Sequence, residues 1–223
     1  MSDTIPGIIS TAEEIKKFIK QYDKNDNTKT VEIPKEIFDK CCKEWKYKLR
    51  LGKEAYLSTA DIPQILGEND FLVIKPGDFV LLQTEEIVEL DENVMGFISM
   101  RFDYKQKGLI NVSGFHVDPN YRGHLLFSAF NAGPKDIIIR RKDEVFMIFF
   151  ERLTKSVSRE NVLNKRIEYR HIPSSMIEQI RGKSATLTDN SNRLKKLEIY
   201  FTVFVAVIVP LIVALFGWLI SKK

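Results

Sequence analysis

The stretch from Ile199 to Ile220 constrains this 223-residue chain more than any other feature. Its 22 consecutive residues carry no charged side chain, and only Thr202, Pro210 and Gly217 interrupt the strongly apolar ones. At about 1.5 Å of rise per helical residue the stretch reaches roughly 33 Å, enough to cross a hydrocarbon core of about 30 Å. The sequence therefore predicts a transmembrane helix over 199–220, a buried core helix being the alternative, and a purely soluble protein is excluded as the leading interpretation.

The flanks of the predicted span indicate its orientation. Residues 1–6 lack the basic and apolar regions of a secretory signal, so we expect a cytoplasmic main domain and a single-pass C-terminal tail anchor. Basic side chains flank the span on both sides: Arg193, Lys195 and Lys196 before it, and Lys222 and Lys223 after it. The small excess before the span favours the same orientation. Pro210 lies in mid-span and lacks a backbone donor, which predicts a kink.

Charge and cysteine usage exclude several classes of protein. The chain has 34 Lys+Arg and 30 Asp+Glu, and the resulting net charge of +4 is too small to predict a nucleic-acid partner. Its two cysteines, Cys41 and Cys42, are adjacent, a spacing that strains a disulfide and leaves no further cysteine for pairing. A disulfide scaffold and a cysteine-based zinc cluster are therefore excluded.

Hydrophobic periodicity predicts a mainly β domain before the span. A helix is predicted over 10–22, where Thr11 and Glu14 can form a capping box. Residues 45–51 alternate as in a half-buried strand, which Gly52 is expected to end. Short apolar runs then alternate with turn signals: 76–78, 91–93, 118–120, 131–134 and 140–143. This spacing indicates an all-β barrel or sandwich.

Composition divides the chain into four parts. They are a β domain over 1–153, a connector over 154–198, the transmembrane helix over 199–220 and a short tail over 221–223. The connector is polar and mixed, so we expect it to be helical or irregular. The chain contains none of the common phosphate-loop, zinc-protease or nucleophile-elbow strings. His116, His124 and His171 are interpreted as surface or core residues, and no metal site is predicted.

The order of several short strings resembles the dCTP deaminase branch of the dUTPase superfamily. The strings are Gly7–Ser10, Tyr47–Gly52, Pro76–Leu81, Glu85–Leu90, Val117–Leu125, Phe130–Pro134 and Phe149–Leu153. The centre of the match is Val117–Gly123, which is similar to the family's Ile-Asp-Pro-Gly-Phe-Arg-Gly turn. The resemblance implies a dUTPase-like distorted β-barrel or jelly roll with a few short helices. It further implies a homotrimer with pyrimidine nucleotide pockets at the subunit interfaces.

The same resemblance shows substitutions where the family carries out chemistry. The family's Arg-Ser-Ser-Leu-Ala-Arg segment corresponds to Arg101–Gln106, so Phe102 replaces a serine and Gln106 replaces an arginine. Ser128 stands where the family has its deaminating glutamate. Metal-free deamination needs a carboxylate to move protons between water and the leaving ammonia, and loss of one general acid/base removes about 10²- to 10⁴-fold of rate. Ordinary dCTP deamination is therefore not expected.

Other residues keep the chemistry of a ligand site. Asp118 matches the aspartate that orients the attacking water in the dUTPase branch, although a turn cap before Pro119 explains an aspartate equally well. The basic segment after Arg101 can hold a phosphate if it faces a pocket, or it is a solvated loop. The predicted ligand-binding residues are Arg101, Lys105, Gln106, Lys107, Asp118 and Ser128, with Asp118 catalytic only if the protein is active.

Three functions remain open at this stage. The first is a catalytically degenerate, membrane-anchored nucleotide sensor or effector, in defence or signalling. The second is a divergent dCTP deaminase or dUTP diphosphatase, with Mg²⁺ accompanying a triphosphate. The third is a trimeric scaffold that binds no ligand.

Overall fold

The computed structural model describes residues 6–23, 25–26, 28–157, 169–182 and 187–221. The chain divides into two units, Met1–Ser184 and Ala185–Lys223. Parts of four predictions lie outside the described residues: 1–5 of the β domain, positions 24 and 27 of the break after the first helix, 158–168 and 183–186 of the connector, and 222–223 of the tail.

The first unit is built mainly from strands. They are β1 (Gly7–Ile8), β2 (Ile19–Tyr22), β3 (Thr30–Glu32), β4 (Cys42–Lys43), β5 (Lys46–Leu57), β6 (Gln64–Ile65), β7 (Phe71–Ile74), β8 (Phe79–Glu89), β9 (Val94–Met100), β10 (Leu109–Asn111), β11 (His116–Val117), β12 (Arg122–Asn131), β13 (Ile137–Arg140) and β14 (Glu144–Arg152). Its helices are α1 (Ala12–Phe18), α2 (Lys35–Cys41), α3 (Phe102–Gln106) and α4 (Ser174–Ile180). The second unit contains α5 (Leu187–Ser221).

Strand β5 joins two antiparallel sheets. Its first half pairs with β14 and its second half with β8. The path of neighbours runs β10-β12-β8-β5-β14-β9-β11. We call the β5-β8-β12-β10 part the β8/β12 sheet and the β5-β14-β9-β11 part the β9/β14 sheet. The predicted mainly β fold class is confirmed.

The core lies between the two sheets and follows their alternation. Tyr47, Leu49 and Leu51 of β5 are fully buried, as the alternating pattern predicts. Phe127 of β12 and Phe146 of β14 stack with ring centroids 3.8 Å apart. Three of the five predicted turns fall wholly between strands, and those at 131–134 and 140–143 begin on the last residue of β12 and of β13. Two of the turns contain a non-glycine residue with positive φ, Asn120 and Lys142.

Two predicted element boundaries were wrong. The first helix begins as predicted, with the Glu14 N–H donating to Thr11 Oγ1 at 3.4 Å, but it ends at Phe18. Ile19 is β-branched and fully buried opposite Val88, so pairing with β8 outcompetes the local helical spacing. Strand β5 also continues through Gly52. At this position a Cβ would lie 2.5 Å from the Thr84 carbonyl oxygen, so only glycine lets β5 and β8 approach this closely. This glycine permits close strand approach instead of ending the strand.

The predicted connector contains a segment that belongs to the first unit and packs on its strands. We call residues 169–182, which include α4, the strap. Ile172 of the strap is buried with Tyr56 and Leu81 on the outer face of the β8/β12 sheet. The alternating pattern of the strands did not predict this cover, because it comes from a polar, non-periodic part of the sequence.

Helix α5 has the length and composition of a membrane-spanning helix. Its 35 residues continue through Pro210. The candidate span Arg193–Leu215 contains an 18-residue window with a mean hydropathy of 2.5, and this window is not buried within the described chain. The helix begins at Leu187, inside the region predicted as connector.

Candidate functional site

The basic residues after β9 are engaged in contacts within the chain. The Arg101 guanidinium lies 2.8 Å from Glu144 Oε2 and 2.7 Å from Asp103 Oδ2. Lys105 Nζ donates to Ser99 Oγ at 2.8 Å. A phosphate bound here would therefore compete with two carboxylates for Arg101 and with one hydroxyl for Lys105.

The other side chains of this segment are more accessible. Gln106 and Lys107 are exposed, and the Lys107 ammonium lies 5.1 Å from the centroid of the Tyr104 ring. Tyr104 itself is buried, and this burial raises the pKa of its phenol to about 12. Phe102, which the resemblance matches to a serine of the family, is 66% exposed. The segment thus presents one apolar ring to solvent together with the polar side chains of Asp103, Lys105, Gln106 and Lys107.

Asp118 lies in the turn after β11. Its backbone carbonyl accepts from the Tyr121 N–H at 3.2 Å, and Asn120 supplies the positive φ of the turn. Its carboxylate is 71% exposed and lies 3.4 Å from His116 Nε2. The turn hydrogen bond is made by the backbone, so the exposed carboxylate is available to a ligand.

Ser128 lies on the outward face of β12. Strand β12 alternates strictly between buried and partly exposed residues, and Ser128 is opposite Leu81 of β8. The backbone carbonyl of Ser128 accepts from the Val112 N–H at 2.8 Å. The outward side chains of the strand are Arg122, His124, Leu126, Ser128 and Phe130. None of these five is a carboxylate.

The predicted site residues occupy three separate places in one chain. They are the α3 segment with Arg101, Lys105, Gln106 and Lys107, the turn with Asp118, and the outward face of β12 with Ser128. Among the residues that the structure describes, no hydrogen bond or ion pair joins one of these places to another.

One buried ion pair was missed by the sequence analysis. Glu86 is fully buried and accepts from Arg50 Nε at 2.6 Å and from the Arg50 backbone N–H at 2.8 Å. Burial raises the pKa of Glu86, and the neighbouring guanidinium opposes this rise. Only the irregular β5–β8 register, which brings Leu51 opposite Thr84, places these residues together. The pair lies inside the protein and holds the shared strand β5 against β8.

Asn131, within one of the family-like strings, has a structural role. Its buried side-chain amide donates to the carbonyls of Ile74 at 2.8 Å and Lys135 at 3.0 Å. Its side-chain oxygen accepts from the Gly133 N–H at 2.9 Å. A Cβ at Gly133 would lie 2.1 Å from the Lys107 carbonyl oxygen, so this loop requires glycine. The string therefore positions the loop beside the α3 segment.

Comparison with known proteins places this architecture in a family. The family model described as dCTP deaminase-like matches residues 12–153. The chain belongs to this family. It is 28% identical over 117 residues to the dCTP deaminase of Histophilus somni, a match covering 52% of this chain and 60% of that protein. It is 32% identical over 107 residues to the dCTP deaminase of Pyrococcus abyssi, covering 48% of this chain and 68% of that protein.

A solved structure supports the fold. The 2'-deoxycytidine 5'-triphosphate deaminase of Agrobacterium tumefaciens aligns with a TM-score of 0.51 at 14% identity, covering 67% of this chain and 49% of that chain. At this identity the likeness concerns the fold of the family. Residues 154–223, which contain the strap and α5, lie outside the family match.

Proposed function

We propose that this family member is a membrane-anchored nucleotide-binding protein that does not deaminate dCTP and acts as a sensor or effector. One observation carries the proposal. The outward face of β12 presents Ser128, and no carboxylate, where the resemblance places the deaminating glutamate. A serine hydroxyl of ordinary acidity does not replace a carboxylate as the general acid/base in deamination.

Ligand binding is supported by the exposed polar groups near the predicted site. Lys105, Gln106, Lys107 and Asp118 have exposed positions from which they can reach a nucleotide. Arg101 is already neutralised by carboxylates of its own chain, so its contribution to phosphate binding is reduced. We expect any Mg²⁺ to be carried by the triphosphate. Among the described residues, no group of three potential side-chain ligands lies close enough to hold a metal.

Membrane anchoring is supported by the aromatic side chains of α5. Tyr200 and Trp218 are 18 residues apart, which corresponds to about 27 Å along a helix. Tyrosine and tryptophan are enriched at the two membrane interfaces, so this separation fits a bilayer core. The basic residues Arg193, Lys195 and Lys196 precede Tyr200, as expected for the cytoplasmic side.

Self-association as a homotrimer is supported by an aromatic ladder on the outer face of the β9/β14 sheet. Phe97 and Phe149 are cross-strand partners, and their rings stack at 5.2 Å. Trp45 extends the ladder at one end and Phe115 at the other, with exposed fractions of 40% and 66%. A contiguous exposed apolar surface of this kind marks an interaction site. Association would also allow site residues that are separate in one chain to meet across an interface.

The proposal is tested with the full chain in detergent micelles, incubated with dCTP or dUTP and Mg²⁺. We expect a thermal shift with at least one nucleotide, no ammonia from dCTP, and a ligand response reduced at least tenfold in affinity by Asp118→Ala. Asp136→Ala removes an exposed carboxylate elsewhere on the domain and serves as the matched control. Ammonia release at a rate typical of an enzyme would contradict the proposal. If no nucleotide produces a thermal shift, the result would favour the third function, a trimeric scaffold that binds no ligand.

A dUTP diphosphatase is the second candidate. The exposed carboxylate of Asp118 near His116 favours it, because such a carboxylate can orient a water molecule. The same incubation with dUTP distinguishes this candidate by release of pyrophosphate that is lost in Asp118→Ala and kept in Asp136→Ala.

A further inference from the structure

The strap is held by a buried carboxylate of the sheet beneath it. Glu54 of β5 is 6% exposed, and its Oε2 accepts from the backbone N–H of Ile172 at 2.9 Å. Its Oε1 lies 2.5 Å from Nδ1 of His171. Among the described residues, both hydrogen-bond partners of this carboxylate belong to the strap, so its burial and its hydrogen bonding depend on the strap being in place.

Two further polar contacts secure the strap along its length. Gln83, which is 2% exposed, donates from Nε2 to the backbone carbonyl of Arg170 at 2.9 Å. At the other end, the backbone N–H of Gly182 donates to the Ser58 carbonyl at 2.9 Å. The sheet therefore contacts the strap backbone with a carboxylate, an amide and a carbonyl.

Apolar contacts complete the cover. Ile172 is 6% exposed and packs with Tyr56 and Leu81. Met176, Ile177 and Ile180 of α4 are partly buried against the same cluster, together with Leu126 of β12. The apolar side of the short helix thus faces the sheet, and burial of this surface favours the closed position.

The covered face is the one that carries Ser128. Leu81 is the cross-strand partner of Ser128, and Leu126 lies two residues before it on the same side of β12. A ligand that occupies this face beside Ser128 would meet Ile172 and α4. The closed strap and a ligand beside Ser128 therefore exclude each other, because the ligand would overlap Ile172 and α4.

We propose that the strap is a reversible cover of the Ser128 face, closed through Glu54, Gln83 and Ile172. When closed it lowers the apparent affinity for a nucleotide, since only chains with an open strap bind. Binding of the nucleotide favours the open state. This inference takes its ligand from the proposed function.

Amide hydrogen exchange on the full chain in detergent micelles tests whether the strap opens. Ile172→Ser removes the buried apolar contact, and Glu54→Gln removes the charge that accepts from Ile172 and His171. We expect both to accelerate exchange in 172–182 at least tenfold, with exchange in β5 and β8 unchanged. Glu178→Gln alters an exposed carboxylate of α4 and is the matched control. An unprotected strap in the unaltered chain, or equal protection in all variants, would overturn the proposal.

Nucleotide binding tests whether the strap controls access. With dCTP and dUTP as probes, Ile172→Ser is expected to bind at least tenfold more tightly than the unaltered chain, and nucleotide is expected to accelerate exchange in the strap. Equal affinity, or a strap that becomes more protected with nucleotide, would contradict competition. If no variant binds either nucleotide, the proposed function fails, whereas the exchange data still decide whether the strap opens.

Discussion

The outer faces of the two sheets differ in how their apolar side chains are covered. On the β8/β12 sheet, Tyr56 and Leu81 are buried under the strap of the same chain. On the β9/β14 sheet, the ladder from Trp45 to Phe115 has no comparable cover among the described residues, and both of its ends are exposed. Strand β5 is the central link between the two sheets.

This difference indicates two kinds of surface on one domain. A face covered within the chain can be opened and closed by that chain, and its contacts combine buried polar groups with apolar ones. A face of stacked aromatic rings is stable in contact with another protein surface and costly in water. We therefore expect control of ligand access on the first face and self-association on the second.

The largest effect is expected from breaking the ion pair on which both faces depend. Arg50→Met leaves the fully buried Glu86 without its cation, and the loss of unfolding free energy should be about 3–5 kcal/mol. Chemical unfolding of the full chain in detergent micelles measures it. Lys48→Met, also in β5, breaks a more exposed pair with Glu144 of β14 and should cost about 1 kcal/mol or less. Equal losses of unfolding free energy in the two variants would mean that burial of the Arg50–Glu86 pair does not set its contribution to stability.

The double variant Arg50→Met/Glu86→Leu sharpens the same prediction. Replacing both charges with apolar groups removes the uncompensated carboxylate, so most of the lost stability should return. A double variant as unstable as Arg50→Met would show that the pair itself, with its backbone hydrogen bond, is required for the strand to form.

Breaking the aromatic ladder should affect association and leave the covered face intact. Phe97→Ser/Phe149→Ser removes the stacked pair at its centre and is expected to convert the proposed trimer into a monomer. Sedimentation or light scattering of the full chain, corrected for bound detergent, measures the mass. Ile172→Ser, which alters the strap on the β8/β12 sheet and not the ladder, should leave the mass unchanged. A ladder variant that keeps the mass of the unaltered chain would contradict the assignment of this face.

The smallest effect is a pH dependence near the edge of the covered face. The imidazole ring of His124 on β12 packs edge-on against the Tyr22 ring, with the two ring centroids 5.5 Å apart. Burial lowers the pKa of this imidazole. The folded state therefore takes up the proton less readily than the unfolded state, whose histidine titrates near about 6.5. Stability is fully present above that pH and should decline as the pH falls below it. Thermal midpoints between pH 7.5 and 5 should fall less steeply in His124→Gln, and identical slopes would refute the assignment.

The sequence predicted local structure correctly where a single side chain or a short alternating pattern decides it. The Thr11–Glu14 contact begins α1, and the alternation from Tyr47 to Leu51 places the buried side of β5. The end of α1 could not be predicted in this way, since the strand at Ile19 exists only by pairing with β8. Gly52 shows the same limit, because its role depends on the Thr84 carbonyl, more than 30 residues away in sequence.

The candidate site was predictable only in its chemistry. The sequence supplied the residue types through the family resemblance, including Ser128 in place of a glutamate. It did not predict that Glu144 and Asp103 neutralise Arg101, or that Glu54 holds the strap, because these partners lie in elements that meet only in the folded sheet.

The amino-acid sequence by itself determined the apolar helix and the mainly β character, and its resemblance to the family supplied the expectation that Ser128 replaces the deaminating glutamate. Each of these rests on residue type or on short-range spacing, which a linear pattern records directly. The tertiary structure decided which surfaces are covered. Whether Ile172 lies on the sheet or in solvent depends on Tyr56, Leu81 and Glu54, which are distant in sequence and adjacent in space. Hydrophobic burial and buried hydrogen bonds both require such neighbours, and only the fold provides them.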